Sequence, residues 1–500
     1  MLRPFLTGAT AAAAATLVLG PVTLPAGSTP PLGPLAQQFQ LTLEPGQRTE
    51  LLGPLFFHED RGLPGDVTTV WSIPPLLSHG FNRDIDYEFY DFLWKGATYN
   101  RYGKEYRIQI LQWLSFAGGV TQTDTNVDRF TLFPFYFQQR SSIPEKNYTA
   151  LLPFYGTLKG RFFRDEIFLF LFPLYSQTLK RGVTTDNYVY PFFHVRHGEG
   201  LRGWQFWPLA GHEHKTLTWR TNNWGDGEPI PGHNRSFVLW PIWSEARDGL
   251  GLTNVVHQQA LLPFYSLTRS PGRDSTSYGW PFGVTHTLER ERKYEEWGAP
   301  WPLIVFAQGE GKTTRRVWPL FGRARNSGQE SSFYLWPVYK SNRLFGGALE
   351  RERIRILFYL YSDATVQNKT AGTSQTLRDL WPLYTYRREF DGRSRLQVLA
   401  PLEPFLPGNT SVERDLSPLW SLWRSQHNPT NGLSSQSLLW NLYRREAGPE
   451  ARKCSLLFGL FQYHSNAEGR RWRLFGLPLG KKSPPARPPD GSRRGEIEAK

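Results

Sequence analysis

The chain has 500 residues, and its 58 Lys and Arg against 44 Asp and Glu give a formal net charge of +14. A single cysteine, Cys454, excludes an intrachain disulfide and any multi-cysteine zinc or iron–sulfur site. Aromatic residues make up 15% of the chain and it contains 46 Gly and 39 Pro, which favours strands and turns over helices.

The N-terminus predicts export. Arg3 precedes an apolar stretch from Phe5 to Gly20, and small residues follow near Ala26, which is the pattern of a secretory signal peptide over residues 1–26. The apolar stretch is short for a membrane span, which needs about 20 residues. Residues 27–50 are predicted to be a linker, and residues 51–480 a β-repeat domain with clear repeats from about residue 128.

An acidic cluster lies in the less regular N-terminal part of this domain. Its members are Asp84, Asp86, Glu88 and Asp91. Paired carboxylates can serve glycoside hydrolysis or calcium binding, but no calcium-loop glycine pattern accompanies them. A polar strand face is therefore the favoured interpretation.

A five-residue apolar run with a central proline recurs along most of the chain, as in Leu-Trp-Pro-Leu-Tyr at residues 380–384. The central positions are Pro134, Pro153, Pro173, Pro191, Pro208, Pro241, Pro263, Pro281, Pro302, Pro319, Pro337, Tyr359, Pro382, Pro401, Pro418, Asn441, Gly459 and Gly476. They are 17 to 23 residues apart, except for a gap of 33 after Pro208. Weaker copies at Pro54, Pro75, Phe92 and Trp113 bring the number of units to about 22.

The repeat predicts an all-β fold, a long antiparallel meander of about 18–22 repeated strands. Turn signals such as Asp391-Gly392 lie between the runs, so each unit is interpreted as one strand of about 10–13 residues plus a turn. Prolines at one height in neighbouring strands would bend the sheet along a continuous line, with Pro319 and Pro337 roughly 10 Å apart. The sheet is therefore expected to be closed or strongly curved, barrel-like or shell-like, with both faces covered at mid-height.

Two histidines form a candidate metal site. His212 and His214 should share one face of a strand, and His194 and His197 lie one unit earlier. No third ligand is identifiable. Solvated histidines near strand ends are the favoured interpretation.

The segment Gly309-Glu310-Gly311-Lys312-Thr313 is similar to the end of a phosphate-binding loop. That motif needs a glycine where Phe306 stands, and no helical pattern follows, so a turn is favoured. Cys454 precedes an apolar run and is expected to be packed. We therefore predict no catalytic, cofactor-binding or metal-binding residue and no cofactor.

The C-terminal tail, residues 481–500, carries four prolines among charged residues and is predicted to be disordered. The basic residues of the whole chain are dispersed and form no recognisable nucleic-acid motif, so nucleic acid is not an expected partner.

The runs LLPFYS, LFPLYS, LWPLYT and LWNLYR, with hairpin turns between them, carry a resemblance. They resemble uncharacterised exported proteins of Gram-negative bacteria with tandem Trp-Pro-Leu-Tyr-like β-strand repeats. The resemblance covers roughly Leu132 to Gly480. It implies export and a repetitive β fold, and it implies no activity.

The sequence is thus interpreted as a non-enzymatic, exported cell-envelope protein, structural or porin-like and associated with the outer membrane. Outer-membrane lipid or a surface glycan is the expected partner. The residues leave open a second class, a soluble secreted or periplasmic β shell that binds carbohydrate or another surface ligand. They do not predict an oligomeric state.

Overall fold

The computed structural model describes residues 35–121, 124–222, 224–467 and 469–483, and the predicted signal peptide lies outside these ranges. The first fifteen strands are β1 (Ala36–Gln40), β2 (Gly46–Leu51), β3 (Phe56–Leu63), β4 (Asp66–Ile73), β5 (Leu77–Asn82), β6 (Tyr87–Phe92), β7 (Ala97–Tyr102), β8 (Glu105–Ile110), β9 (Leu114–Thr121), β10 (Asp124–Leu132), β11 (Tyr136–Ser141), β12 (Tyr148–Leu151), β13 (Tyr155–Arg161), β14 (Arg164–Phe170) and β15 (Tyr175–Lys180). The next fifteen are β16 (Val183–Tyr188), β17 (Phe193–Gly198), β18 (Leu201–Phe206), β19 (Ala210–Lys215), β20 (Thr218–Thr221), β21 (Gly227–Ile230), β22 (Gly232–Val238), β23 (Trp243–Leu250), β24 (Val256–Leu261), β25 (Tyr265–Arg269), β26 (Arg273–Tyr278), β27 (Val284–Glu289), β28 (Tyr294–Gly298), β29 (Ile304–Gly309) and β30 (Lys312–Val317).

The last fifteen strands are β31 (Phe321–Arg325), β32 (Gln329–Tyr334), β33 (Tyr339–Leu344), β34 (Leu349–Ile356), β35 (Tyr361–Asn368), β36 (Thr373–Leu380), β37 (Tyr384–Arg388), β38 (Ser394–Val398), β39 (Trp423–Asn428), β40 (Leu433–Leu438), β41 (Tyr443–Ala447), β42 (Ala451–Leu456), β43 (Phe461–Asn466), β44 (Gly469–Leu474) and β45 (Leu477–Ser483). The helical elements in the described ranges are short: 3-10 turns at Gly53–Leu55 and Pro144–Lys146, a π-helical turn at Val412–Leu416 preceded by helical residues 410–411, and the four-residue helix α1 at Ser417–Trp420. None of these helices is long or apolar enough to cross a membrane.

Forty-three of the strands form one antiparallel meander, as the sequence predicts. Each strand pairs with the next one along the chain, except that β19 pairs directly with β22. The intervening β20 and β21 form a separate two-stranded hairpin. This extra hairpin accounts for the gap of 33 residues between Pro208 and Pro241.

The repeated prolines lie in turns between strands, and the predicted crease through strand centres is wrong. Pro382 sits between β36 and β37, and Pro319 between β30 and β31. Proline has no N–H to give to a strand ladder, and a turn is where that donor is least needed. The turns nevertheless stand side by side as predicted, because the Trp336 N–H donates to the Pro319 carbonyl at 2.7 Å and the turn of Trp336 contains Pro337.

The repeat unit is therefore a hairpin of two short strands, and the predicted count of 18–22 long strands is wrong. The units predicted weakly at Pro54, Pro75, Phe92 and Trp113 belong to the same series, since each lies in or beside a turn between an even-numbered strand and the next. About 22 hairpins agree with 43 strands.

Three other boundaries differ from the prediction. The predicted linker, residues 27–50, contains β1 and most of β2 in its described part. The last strand continues to Ser483, into the predicted tail, whose remaining residues lie outside the described ranges. Pro401 and Pro418 mark no separate units, because both lie in one long connection, residues 399–422, between β38 and β39.

The sheet is strongly curved, which the contacts between its two ends require. Forty-three strands spaced about 4.8 Å apart would extend about 200 Å if flat. Yet the Gln37 side-chain amide donates to the Ser455 hydroxyl at 2.6 Å, and the Asn441 amide donates to Glu50 at 2.7 Å. Side chains make this contact, since β1 pairs only with β2 and β45 only with β44 among the described strands.

Candidate functional site

The turns that follow the even-numbered strands of the meander all lie along one side of the sheet, which we call one of its two long edges. This edge carries a continuous band of apolar residues, which we call the apolar rim. It consists of the proline-bearing turns and the strand-end residues next to them. Neighbouring strand ends pair ring against ring or ring against aliphatic chain, as in Tyr175 with Tyr188, Phe193 with Phe206, Tyr334 with Tyr339, Tyr361 with Leu380, and Leu438 with Tyr443. Such cross-strand pairs stabilise the sheet locally.

The turn residues of the rim are exposed, although the sequence predicts that they are covered on both faces. Phe264 is 68% exposed, Leu383 57% and Trp336 40%. The prediction fails because the apolar runs are turns at an edge, and a single sheet layer offers nothing to cover an edge. An exposed apolar surface of this extent marks a site of interaction.

The opposite edge is mostly polar, with turns such as Arg181-Gly182 and Glu310-Gly311. Its exposed aromatic residues are fewer and more scattered: Tyr102 at the end of β7, Phe162 and Phe163 in the turn after β13, Trp219 and Trp224 in the β20–β21 hairpin, and Phe390 in the turn after β37. The two edges of the sheet therefore differ in chemistry along the whole meander.

The two ends of the sheet meet at a second notable site, which we call the seam. Its charged side chains come from the β1–β2 turn, β2, β3, β37, β38, β39, β41 and the 399–422 connection. Arg48 bonds Glu50 at 3.0 Å and Glu59 at 3.1 Å, and its guanidinium donates to the Arg414 carbonyl at 3.2 Å. Arg48 also covers the ring of Phe57 at 3.7 Å from its centroid.

The long connection contributes the C-terminal half of the seam. Glu413 accepts from Arg395 and Arg387, both at 2.5 Å, and Asp415 pairs with Arg414 at 2.6 Å. Buried charges are stabilised only when each has a partner. The ion pairs lie within the first strands or within the last ones, and the hydrogen bond from Arg48 to the Arg414 carbonyl joins the two groups.

The seam lowers the pKa of two carboxylates. Burial alone would raise the pKa of Glu59, but Arg48 and Arg61 hold it below its usual value. Burial likewise opposes ionisation of Glu413, and Arg395 and Arg387 lower its pKa. In both cases the folded state favours the ionised carboxylate more than the unfolded chain does.

The lowered pKa values predict acid sensitivity. A group whose pKa is lower when folded stabilises the fold above its unfolded pKa, here about 4.5, and this contribution is lost as the pH falls through the folded pKa. We expect these two groups to change the denaturant midpoint little between pH 7 and pH 5. At pH values under about 4.5 the midpoint should decrease. Denaturation monitored by tryptophan fluorescence measures it, and in a Glu59→Gln variant the decline should be shallower. A midpoint that rises on acidification would contradict this role of the seam.

Of the acidic cluster predicted from sequence, only Asp86 and Glu88 come together, since both bond Arg101. Glu88 bonds His79 at 3.0 Å and Arg101 at 3.2 Å. Asp91, three residues further along β6, faces the other side of the sheet, where burial raises its pKa and the charge of Asp415 acts in the same direction. The four carboxylates are thus divided between a turn and the two faces of the sheet. This agrees with their interpretation as polar strand residues.

The histidine pair lies on β19 as predicted, with His212 and His214 exposed on one face. His212 bonds the Ser236 hydroxyl at 2.8 Å, while Glu213 points to the other face and bonds His233 at 2.6 Å. Within the described ranges, no group of three or more His, Cys, Asp or Glu side chains could hold a metal ion.

The segment Gly309–Thr313 is a hairpin turn, since Gly309 pairs with Lys312 and Gly311 has a φ of 68°. Cys454 is half-buried on β42. The sequence interpretation missed the seam altogether. Its only local signal is the alternation of charge at Arg48 and Glu50 and again at Glu59 and Arg61, which places each pair on one strand face.

Comparison with known proteins adds no relative. No protein-family model matches the chain, and no curated protein matches it in sequence.

Proposed function

We propose that this protein is a non-enzymatic structural component of a cell envelope, which sits on a lipid surface through its apolar rim. The observation that carries the proposal is the rim itself, a one-sided band of exposed Trp, Phe, Tyr and Leu that follows the edge of the meander. Aromatic residues favour the boundary between lipid and water, where the ring meets acyl chains and the polar atom meets water.

The dimensions of the sheet favour shallow seating. A strand of six residues reaches about 20 Å, and the apolar part is only the turn and the adjoining strand end. The hydrocarbon core of a bilayer is about 30 Å thick, whereas amphipathic elements that lie in the interface bury about 5–10 Å. The depth of the rim matches the burial of amphipathic elements in the interface and falls short of the thickness of the hydrocarbon core. The net charge of +14 would add attraction to anionic headgroups.

The envelope location rests on the predicted signal peptide, residues 1–26, and on the resemblance to exported repeat proteins. Both stay predictions, and outer-membrane association is proposed with them. The chemistry of the rim supports contact with lipid in whichever membrane the protein meets.

Flotation with lipid vesicles tests the proposal. The purified full-length protein should float with vesicles that contain anionic phospholipid. A triple rim variant, Phe264→Glu, Trp336→Glu and Leu383→Glu, should lose at least about a hundredfold in affinity, because each buried large apolar side chain contributes about 1.5–3 kcal/mol.

The opposite edge supplies a matched control. Phe163→Glu, Trp219→Glu and Trp224→Glu change three exposed aromatic residues away from the rim and should leave flotation unchanged. A wild-type protein that stays monodisperse in plain buffer and never floats would overturn the proposal and favour the carbohydrate-binding shell. Channel conductance across a planar bilayer would instead favour the porin-like alternative.

A further inference from the structure

A cavity of about 100 Å³ lies within the seam. Six arginines line it, namely Arg48, Arg61, Arg395, Arg414, Arg424 and Arg444. Four glutamates line it as well, namely Glu44, Glu50, Glu59 and Glu413. The lining side chains come from both ends of the sheet, so whatever fills the cavity contacts both.

Five of the six arginines have a carboxylate partner. Arg48 pairs with Glu50, Arg61 with Glu59 at 2.8 Å, Arg395 with Glu413, Arg414 with Asp415, and Arg444 with Glu446 at 2.8 Å. Arg424, on β39, differs from them. Its Nε and Nη2 atoms are inaccessible to solvent and have no hydrogen-bond partner among the described residues.

Arginines predominate around Arg424, although the carboxylates of Glu403 and Glu413 are also close enough to interact with its charge. Burial, and then the charges of Arg395 and Arg48, lower the pKa of Arg424 to about 9, so it is still protonated at neutral pH. Arg424 is part-buried as a residue, but donor atoms of a cation that are withdrawn from water without a partner cost free energy, and their natural complement is an anion. Arg424 has two cross-strand neighbours, Gln397, whose Oε1 atom also has no hydrogen-bond partner among the described residues, and Ser437, which lines the same cavity and offers a hydroxyl donor.

We propose that the seam cavity binds one small tetrahedral oxyanion of the phosphate or sulfate class, with Arg424 as its principal ligand. A planar guanidinium donates two parallel hydrogen bonds to such an anion, for which the Nε and Nη2 atoms of Arg424 have to turn toward the cavity. The cavity volume limits the ligand to about the size of the ion itself or the phosphate end of a monoester. Bound there, the anion neutralises the one unpaired arginine and links the first strands to the last.

Isothermal titration calorimetry and thermal unfolding of the full-length protein test the site at constant ionic strength. Inorganic phosphate should bind the wild type and raise its unfolding midpoint by about 1–3 °C relative to chloride. Arg424→Met should weaken phosphate binding at least tenfold. Without phosphate this variant should be as stable as the wild type or more stable, because it removes an unpaired buried charge.

Two further variants keep the test sharp. Arg424→Lys retains the charge without the planar fork and should bind phosphate with intermediate affinity. Arg445→Met changes an exposed arginine on the opposite face of β41 and should bind like the wild type. A wild type without a phosphate response, or an Arg424→Met variant with an undiminished response, would overturn the site.

Glycerol phosphate distinguishes the source of the anion. Binding of inorganic phosphate alone supports a fully enclosed free ion. Binding of both ligands supports a site that admits a phosphate monoester, such as a lipid headgroup. If chloride raises the midpoint as much as phosphate does at equal ionic strength, the effect is general screening and the proposal fails.

Discussion

Replacement of Glu59 by glutamine is expected to lower the free energy of unfolding by about 3–5 kcal/mol, because it removes one charge from a buried network. Glu59 is 1% exposed and accepts from Arg48 at 3.1 Å and from Arg61 at 2.8 Å. The glutamine has the same shape but leaves both guanidinium groups short of a negative partner. Urea denaturation measures the loss, and limited proteolysis should show the first strands released before the rest.

An exposed ion pair provides the control for this prediction. Lys293 and Glu310 are 2.6 Å apart, with side chains that are 79% and 62% exposed, and Glu310→Gln should cost less than about 1 kcal/mol. Equal losses in the two variants would show that the seam network does not hold the ends of the sheet together.

Phe57→Ala is expected to cost about 3–5 kcal/mol, the usual range for deletion of a buried ring. The ring is fully buried, packs with Val70 and Phe89, and lies under the guanidinium of Arg48. Its loss leaves a cavity and uncovers that arginine. The measurement is the change in the denaturant midpoint at constant slope.

The chain contains a phenylalanine in the opposite situation. Phe163 is 95% exposed in a turn, and Phe163→Ala should change stability by no more than about 0.5 kcal/mol. If Phe57→Ala were equally mild, the small apolar cluster beneath the seam would contribute little to folding, and the charge network would have to act alone.

The sequence carries enough information for the fold class and too little for the length of each strand. The spacing between the repeated prolines can be measured in the sequence itself. The meander, and the position of the proline-bearing turns beside one another, could therefore be predicted from that spacing. Leu-Trp-Pro-Leu-Tyr was interpreted as a strand centre because apolar residues usually face a core. In this protein Leu383 is exposed and Pro382 occupies a turn, because the sheet is one layer and its edge has no covering.

Patterns within short segments of the sequence cannot predict the seam, because the seam depends on contacts between residues that are far apart in the chain. Glu50 and Asn441 are 391 positions apart, and nothing near either residue indicates the other. The isolated motifs were easier, since Gly309-Glu310-Gly311-Lys312-Thr313 differs from a phosphate-binding loop within its own few residues.

The number of hairpin units determines the length of the sheet, measured across its strands from one end to the other. Each hairpin adds two strand spacings, roughly 10 Å, to the contour of the sheet, along with one further turn on the rim. Hydrogen bonds that join the two ends come from β1, β2, β42, the turn at Asn441 and the 399–422 connection, so duplication or loss of a central hairpin removes none of the residues that make them. The number of hairpins therefore sets the length of the sheet between its two ends, and it can change without any change in the residues of the seam.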